Sequence, residues 1–77
     1  MDEKKFLAEF VENVDGFADS GLTLNKPFAD FPQWDSLAVL VTIAWVAETC
    51  QVALSGQDVR DCKTLGELHA KVRQRKG

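Results

Sequence analysis

Hydrophobic positions change their spacing as the chain is read from one end to the other. Phe6, Leu7, Phe10, Val11 and Val14 recur at intervals of three and four behind the first-turn acids Asp2 and Glu3, until Asp15-Gly16 breaks the pattern. This predicts a first amphipathic helix. From Gly16 to Asp35 the chain has two glycines, two prolines and no sustained period, yet carries Phe17, Leu22, Leu24, Phe28 and Phe31. Long loops are uncommon in compact domains, and five apolar anchors predict an ordered one.

A second helix is predicted from Ser36 to about Cys50, a stretch free of Gly and Pro. Placed at roughly 100° per residue, Val39, Leu40, Ile43, Val46, Ala47 and Cys50 cluster on one face, which is expected to be the core. Leu37, Val41 and Trp45 fall on a second stripe with Ala44 and Glu48, leaving Thr42 and Thr49 on a polar side. Ser55-Gly56 marks a turn, and Gln57 to Asp61 fits one short helical turn with Val59 inward. Thr64-Leu65-Gly66-Glu67 fits a capping box, in which a Thr hydroxyl and a Glu three residues on satisfy the amides of a helix start. The last helix then carries Leu65, Leu68 and Val72 inward. The expected fold is all-α: one domain over residues 1–77, a small bundle of three longer helices and one short one, with a long ordered loop between the first and second helices.

Length and charge narrow the function. A chain of 77 residues buries only about 60% of its unfolded surface, leaving little room for a deep catalytic cleft. The longest uncharged run, Ser36 to Ala47, is too short for the roughly 20 residues of a membrane-spanning helix, and no signal segment opens the chain. A soluble, cytoplasmic monomer without membrane insertion is expected. The net charge of −3 hides an asymmetry: residues 1–61 hold eleven acids and four bases, and residues 62–77 one acid and five bases. An anionic body argues against nucleic acid as a partner, and the basic end of the last helix complements its dipole. Cys50 and Cys62 lack metal-site or redox spacing and are expected to be buried free thiols, with no metal bound.

The chemistry that remains is at Asp35-Ser36-Leu37. A serine in the first turn of a helix faces unpaired amides and the positive end of the dipole, where an attached phosphate is stabilised. Asp35 is able to cap those amides or to hold a divalent cation. Taken alone, an Asp-Ser pair there is most simply an N-cap.

The order of elements, the long first loop, Asp35-Ser36-Leu37 opening the second helix and Thr64-Leu65-Gly66-Glu67-Leu68 opening the last together resemble the acyl carrier proteins, from about Phe6 to Val72. The resemblance implies that Ser36 is the attachment point of 4′-phosphopantetheine, transferred from coenzyme A by a phosphopantetheinyl transferase with magnesium, with Asp35 contacting the transferase or its metal. The carrier itself is then not an enzyme. It hands acyl thioesters between acyl-loading and acyl-using enzymes, and Val39, Ile43, Val46, Leu54, Val59 and Leu68 are projected to line a space for the chain.

The sequence departs from that family in two places. Gln33 stands three residues before Ser36, where many members have glycine. The family's acids at two, five, eleven and twelve residues after the serine correspond here to Ala38, Val41, Ala47 and Glu48, of which only Glu48 is acidic. The stripe of Leu37, Val41, Ala44, Trp45 and Glu48 is therefore expected to be the partner-binding face of a carrier in a dedicated lipid, polyketide-like or acyl-modification pathway; Trp45 packed under the loop against Phe28 or Phe31 is the competing expectation. The Asp-Ser form is closer to acyl than to aminoacyl or peptidyl carriers, which typically read Gly-Gly-x-Ser. Two other readings stand beside it: a helical interaction module without a prosthetic group, and a hydrolase pairing Ser36 with His69.

Overall fold

The computed structural model describes residues 2–14 and 16–76, and in them the chain is an all-α globule of four helices. Helix α1 (Glu3–Asn13) starts at Asp2, whose carboxylate accepts the Lys5 amide at 2.8 Å. Phe6 and Phe10 are its fully buried residues, and Val14, just beyond its end, is buried as well. The expected stop at Asp15-Gly16 is met at Gly16, which takes a φ of +93°, while Asp15 lies outside the described residues.

The loop that follows is ordered by its own apolar residues. Phe17, Leu22 and Phe28 are buried, and Leu24 and Phe31 are half-buried against the core. A short 3-10 turn at Phe28–Asp30 was not foreseen from the periodicity. The loop is sewn to the start of the last helix by backbone bonds: the Phe28 amide donates to the Lys63 carbonyl at 2.8 Å, and the Gly66 amide donates to the Leu24 carbonyl at 3.0 Å. Glycine at position 66 leaves room for that approach, since a Cβ there would lie 3.0 Å from the Leu24 oxygen, tighter than an ordinary contact.

Helix α2 (Ser36–Cys50) has the expected bounds, but its rotation about its own axis differs from the expectation. Val39, Val46 and Cys50 are buried and Ile43 is half-buried, whereas Leu40 is 62% exposed and Ala47 is exposed. Ala38, Thr42 and Trp45 occupy the buried face in their place. Thr42, expected on the polar side, is fully buried, and its hydroxyl donates to the Ala38 carbonyl at 2.8 Å, so no polar group is left unsatisfied there. Trp45 is 6% exposed, and its ring lies 4.9 Å from that of Phe6 and 5.8 Å from that of Phe10. It packs on α1, not under the loop and not on an outer stripe. Its Nε1 finds no acceptor among the described residues, an expense typically of about 1–3 kcal/mol that the area buried by an indole outweighs.

Helix α3 (Gly56–Arg60) is the expected short turn, with Val59 fully buried. It carries the closed capping box of this fold: the Ser55 hydroxyl accepts the Asp58 amide at 3.1 Å and the Asp58 carboxylate accepts the Ser55 amide at 3.0 Å. Helix α4 (Leu65–Lys76) buries Leu65, Leu68 and Val72 as expected, together with His69. Its start departs from a true box. Thr64 accepts the Glu67 amide at 3.1 Å, but the Glu67 carboxylate reaches the Lys63 amide, one residue further back.

Asp58 also joins α3 to α4. The Arg75 guanidinium donates to both of its carboxylate oxygens, at 2.8 and 3.2 Å. That fork, followed by the Ser55 amide, lowers the Asp58 pKa from 3.8 to about 2. A carboxyl whose pKa is lower in the folded than in the unfolded chain stabilises the fold above its unfolded value, and the contribution disappears as pH falls towards the folded one. The expected result is that Asp58→Asn loses less stability than the parent chain between about pH 4 and pH 2, measured as the shift in urea midpoint across that window. A parallel acid response in the two proteins would assign the acid sensitivity to other carboxyls.

Candidate functional site

Asp35 sits in extended backbone just ahead of α2, and its Oδ1 accepts the Ala38 amide at 2.9 Å. The cap of α2 is therefore Asp35, and Ser36 is relieved of that duty. Ser36 is the exposed first residue of the helix, and its hydroxyl has no protein partner among the described residues. The amides of Ser36 and Leu37 likewise have no protein acceptor there, leaving two donors at the positive end of the helix dipole beside a free hydroxyl.

The approach to this turn is held rigidly, and Gln33 is one reason. Its side-chain amide donates to the Gly16 carbonyl at 2.8 Å, clamping the end of the loop to its beginning. Only glycine suits position 16, because a Cβ there would lie 3.1 Å from the Gln33 Cβ on a backbone already at positive φ. Trp34 is the other reason. Its ring stacks on Phe28 at 4.0 Å with 12° between planes and also meets Phe10 and Phe17, so the residue before Asp35 is fixed to the aromatic core.

Asp35, Leu37 and Val41 line one open cavity of about 220 Å³ with Gly16, Gln33 and Ala38. Ser36 adjoins it in sequence. On the outer surface of α2, Ser36, Leu37, Leu40, Ala44, Ala47 and Glu48 are all exposed and fall within an arc of roughly 120° at the helical repeat. Leu37, at 68%, and Leu40, at 62%, are the large hydrophobic residues left exposed among those described. The structure thus places Leu37, Val41, Ala44 and Glu48 of the expected partner-binding stripe on or beside one accessible face, and removes Trp45 from it. Leu40 and Ala47, expected in the core, belong to this face instead. The signal was present in the spacing: Ser36, Leu40, Ala44 and Ala47 are separated by four, four and three residues.

Two other sequence readings are settled by position. His69 lines a depression beside Thr49 and Cys50 at the far end of α2 from Ser36, about 20 Å away at 1.5 Å per residue. Ser36 and His69 do not form a nucleophile–base pair. Cys50 and Cys62 are both free and buried, as expected, and burial raises the Cys62 thiol pKa, which keeps it protonated and unreactive. The described residues contain no cluster of three or more His, Cys, Asp or Glu that would hold a metal ion, and no helix long and apolar enough to cross a membrane.

No family model, curated protein or solved structure matches the chain.

Leu40 and Trp45 separate the outer face of α2 from its inner one. Leu40→Asp is expected to change stability by no more than about 0.5 kcal/mol, as for an ordinary surface substitution. Trp45→Ala is expected to cost about 3–5 kcal/mol, as for a buried aromatic. Chemical denaturation of the two variants checks both values, and a large loss in Leu40→Asp would return that residue to the core.

Proposed function

We propose that the chain is an acyl carrier protein, modified at Ser36 by phosphopantetheine and serving a dedicated acyl pathway. The observation that carries this reading is the division of labour at the start of α2: Asp35 makes the cap, and Ser36 keeps an exposed, unbonded hydroxyl. The Asp35 carboxylate alone makes the cap, so the exposed Ser36 hydroxyl is not held to a structural task.

The residues present fit the group. The Ser36 hydroxyl is open to solvent, and the Ser36 and Leu37 amides are free to donate to the phosphodiester that modification would place there. The helix dipole favours the added negative charge by about 0.3–1 kcal/mol at an exposed site. Asp35 accepts the Ala38 amide through Oδ1, leaving Oδ2 for a divalent cation brought by the transferase. When bound, the arm supplies a terminal thiol on which acyl groups are carried as thioesters.

The outer face of α2 then serves as the surface by which enzymes that load and use the acyl group approach Ser36. Its character is apolar: Leu37, Leu40, Ala44 and Ala47, with Val41 at one edge and Glu48 as its acid. Ala38 is buried, so packing and not docking sets the absence of charge at that position. A partner whose contact surface is apolar fits this face better than one relying on a basic patch, which supports a dedicated pathway over bulk fatty-acid synthesis. The same face would serve a helical interaction module without an arm, and covalent modification separates the two.

Incubation with coenzyme A, magnesium and a broad-specificity phosphopantetheinyl transferase is expected to add the mass of one phosphopantetheine to the chain and none to Ser36→Ala. Intact mass spectrometry reads the result. A folded parent chain that gains no mass would overturn the carrier reading in favour of the module.

A further inference from the structure

An arm attached to Ser36 can leave the start of α2 in two directions. At the helical repeat Leu37 and Val41 fall on one side of Ser36, and Val39, Ile43 and Val46 fall on the other. The second direction is closed. Val39, Val46, Leu54, Val59 and Leu68, the residues projected to line a space for the chain, are each 7% exposed or less, and Ile43 is half-buried against them. An arm entering there has to part α2 from α3 and α4, with which it packs. The first direction is already open, as the depression of about 220 Å³ between α2 and the loop.

That depression offers two kinds of surface. Leu37 is 68% exposed and Val41 is half-buried, so both present accessible apolar atoms, whereas Ala38 is covered. Gln33 donates through Nε2 to the Gly16 carbonyl and Asp35 accepts the Ala38 amide through Oδ1. Gln33 Oε1 and Asp35 Oδ2 receive no bond from the described residues. Both are acceptors beside an apolar wall. No Lys, Arg or His lines the space, so it favours a neutral group with N–H or O–H donors over a second anion. Gly16 adds a wall without a side chain, and the Gln33 clamp that fixes the loop also holds the space open.

We propose that this depression seats the pantoyl segment of the arm, the part next to the phosphate, with its geminal methyls on Leu37 and Val41. Its hydroxyl and first amide N–H donate to Asp35 Oδ2 and Gln33 Oε1, the former being free once the transferase and its cation have left. The inference rests on the carrier reading, since Ser36 is what delivers the arm. The volume is about seven times the share of one water in the liquid, which suits a segment of that size and not the whole arm. The thiol end therefore stays outside, beside the outer face of α2. A shallow site is sufficient for this purpose, because a short tether holds its group at an effective concentration of about millimolar, and millimolar affinity then gives half occupancy. Pre-seating the arm in this way needs no opening of the core.

The test compares the isotope-labelled chain before and after loading with the arm, loading being confirmed by intact mass. Amide shift differences are expected at Gly16, Val41 and the Gln33 side-chain amide, beyond those at residues 35–38 that modification itself produces. Nuclear Overhauser contacts are expected from the geminal methyls of the arm to the methyls of Leu37 and Val41. In loaded Val41→Ala the shift at Gly16 is expected to fall at least twofold. A loaded chain whose arm contacts Val39, Ile43 or Val59, or whose shift differences stop at residues 35–38, would overturn this inference while leaving the carrier reading in place. A folded chain that gains no mass overturns both.

Discussion

The Phe10 ring is the contact on which the rest of this small fold depends. It lies within 6.4 Å of four other rings, those of Phe17, Phe28, Trp34 and Trp45, which belong to the loop, the approach to α2 and α2 itself. Through Phe6 and Phe31 the same network takes in every Phe and Trp of the chain. Such ring pairs contribute about 0.5–1.5 kcal/mol each beyond the area they bury, a large share for a domain of this size. A long loop with two prolines and two glycines would otherwise leave the start of α2 loosely placed. Here one residue of α1 fixes the loop, and the loop fixes Asp35 and Ser36.

The parts of the fold legible in the sequence are those where apolar residues stand against a polar background. Helix α1 and the five loop anchors could be read because each apolar residue there has charged or turn-forming neighbours. The rotation of α2 could not, because twelve consecutive uncharged residues, Ser36 to Ala47, present apolar groups on nearly every side. A helix of that kind carries no phase in its own pattern. The phase is set from outside, by the need of Phe6 and Phe10 for a large partner, and Trp45 is the residue of α2 that meets it. Thr42 is then carried into the core, where a hydroxyl is tolerated because the Ala38 carbonyl one turn back accepts its proton.

The candidate site was legible in its residue types and not in its supports. Asp35-Ser36 could be singled out, but which of the two makes the cap depends on backbone geometry that a two-residue motif does not contain. Gln33 looked like a missing glycine, yet its amide supplies a clamp across the loop that glycine has no side chain to make. Trp34 had no reading at all, since its partner Phe28 is six residues away across an irregular turn, a spacing outside any helical or strand period. Contacts of this kind are invisible to periodicity because they are made by a loop folding on itself.

The outer face of α2 follows from the same constraint. Turning the helix by about 100° to cover Leu40 would withdraw Trp45 from between Phe6 and Phe10, so the core cannot take up the exposed leucines without giving up its largest ring contacts. Leu37 and Leu40 are therefore not slack in the packing. Each leaves up to about 1.5–3 kcal/mol of burial unrealised within the chain, and the residues that would ordinarily make such a surface soluble, Lys and Glu, are absent from this face apart from Glu48. That this apolar surface is left outside the core, with the free hydroxyl of Ser36 at its head, supports the proposed use of the face for docking and does not arise from a packing defect.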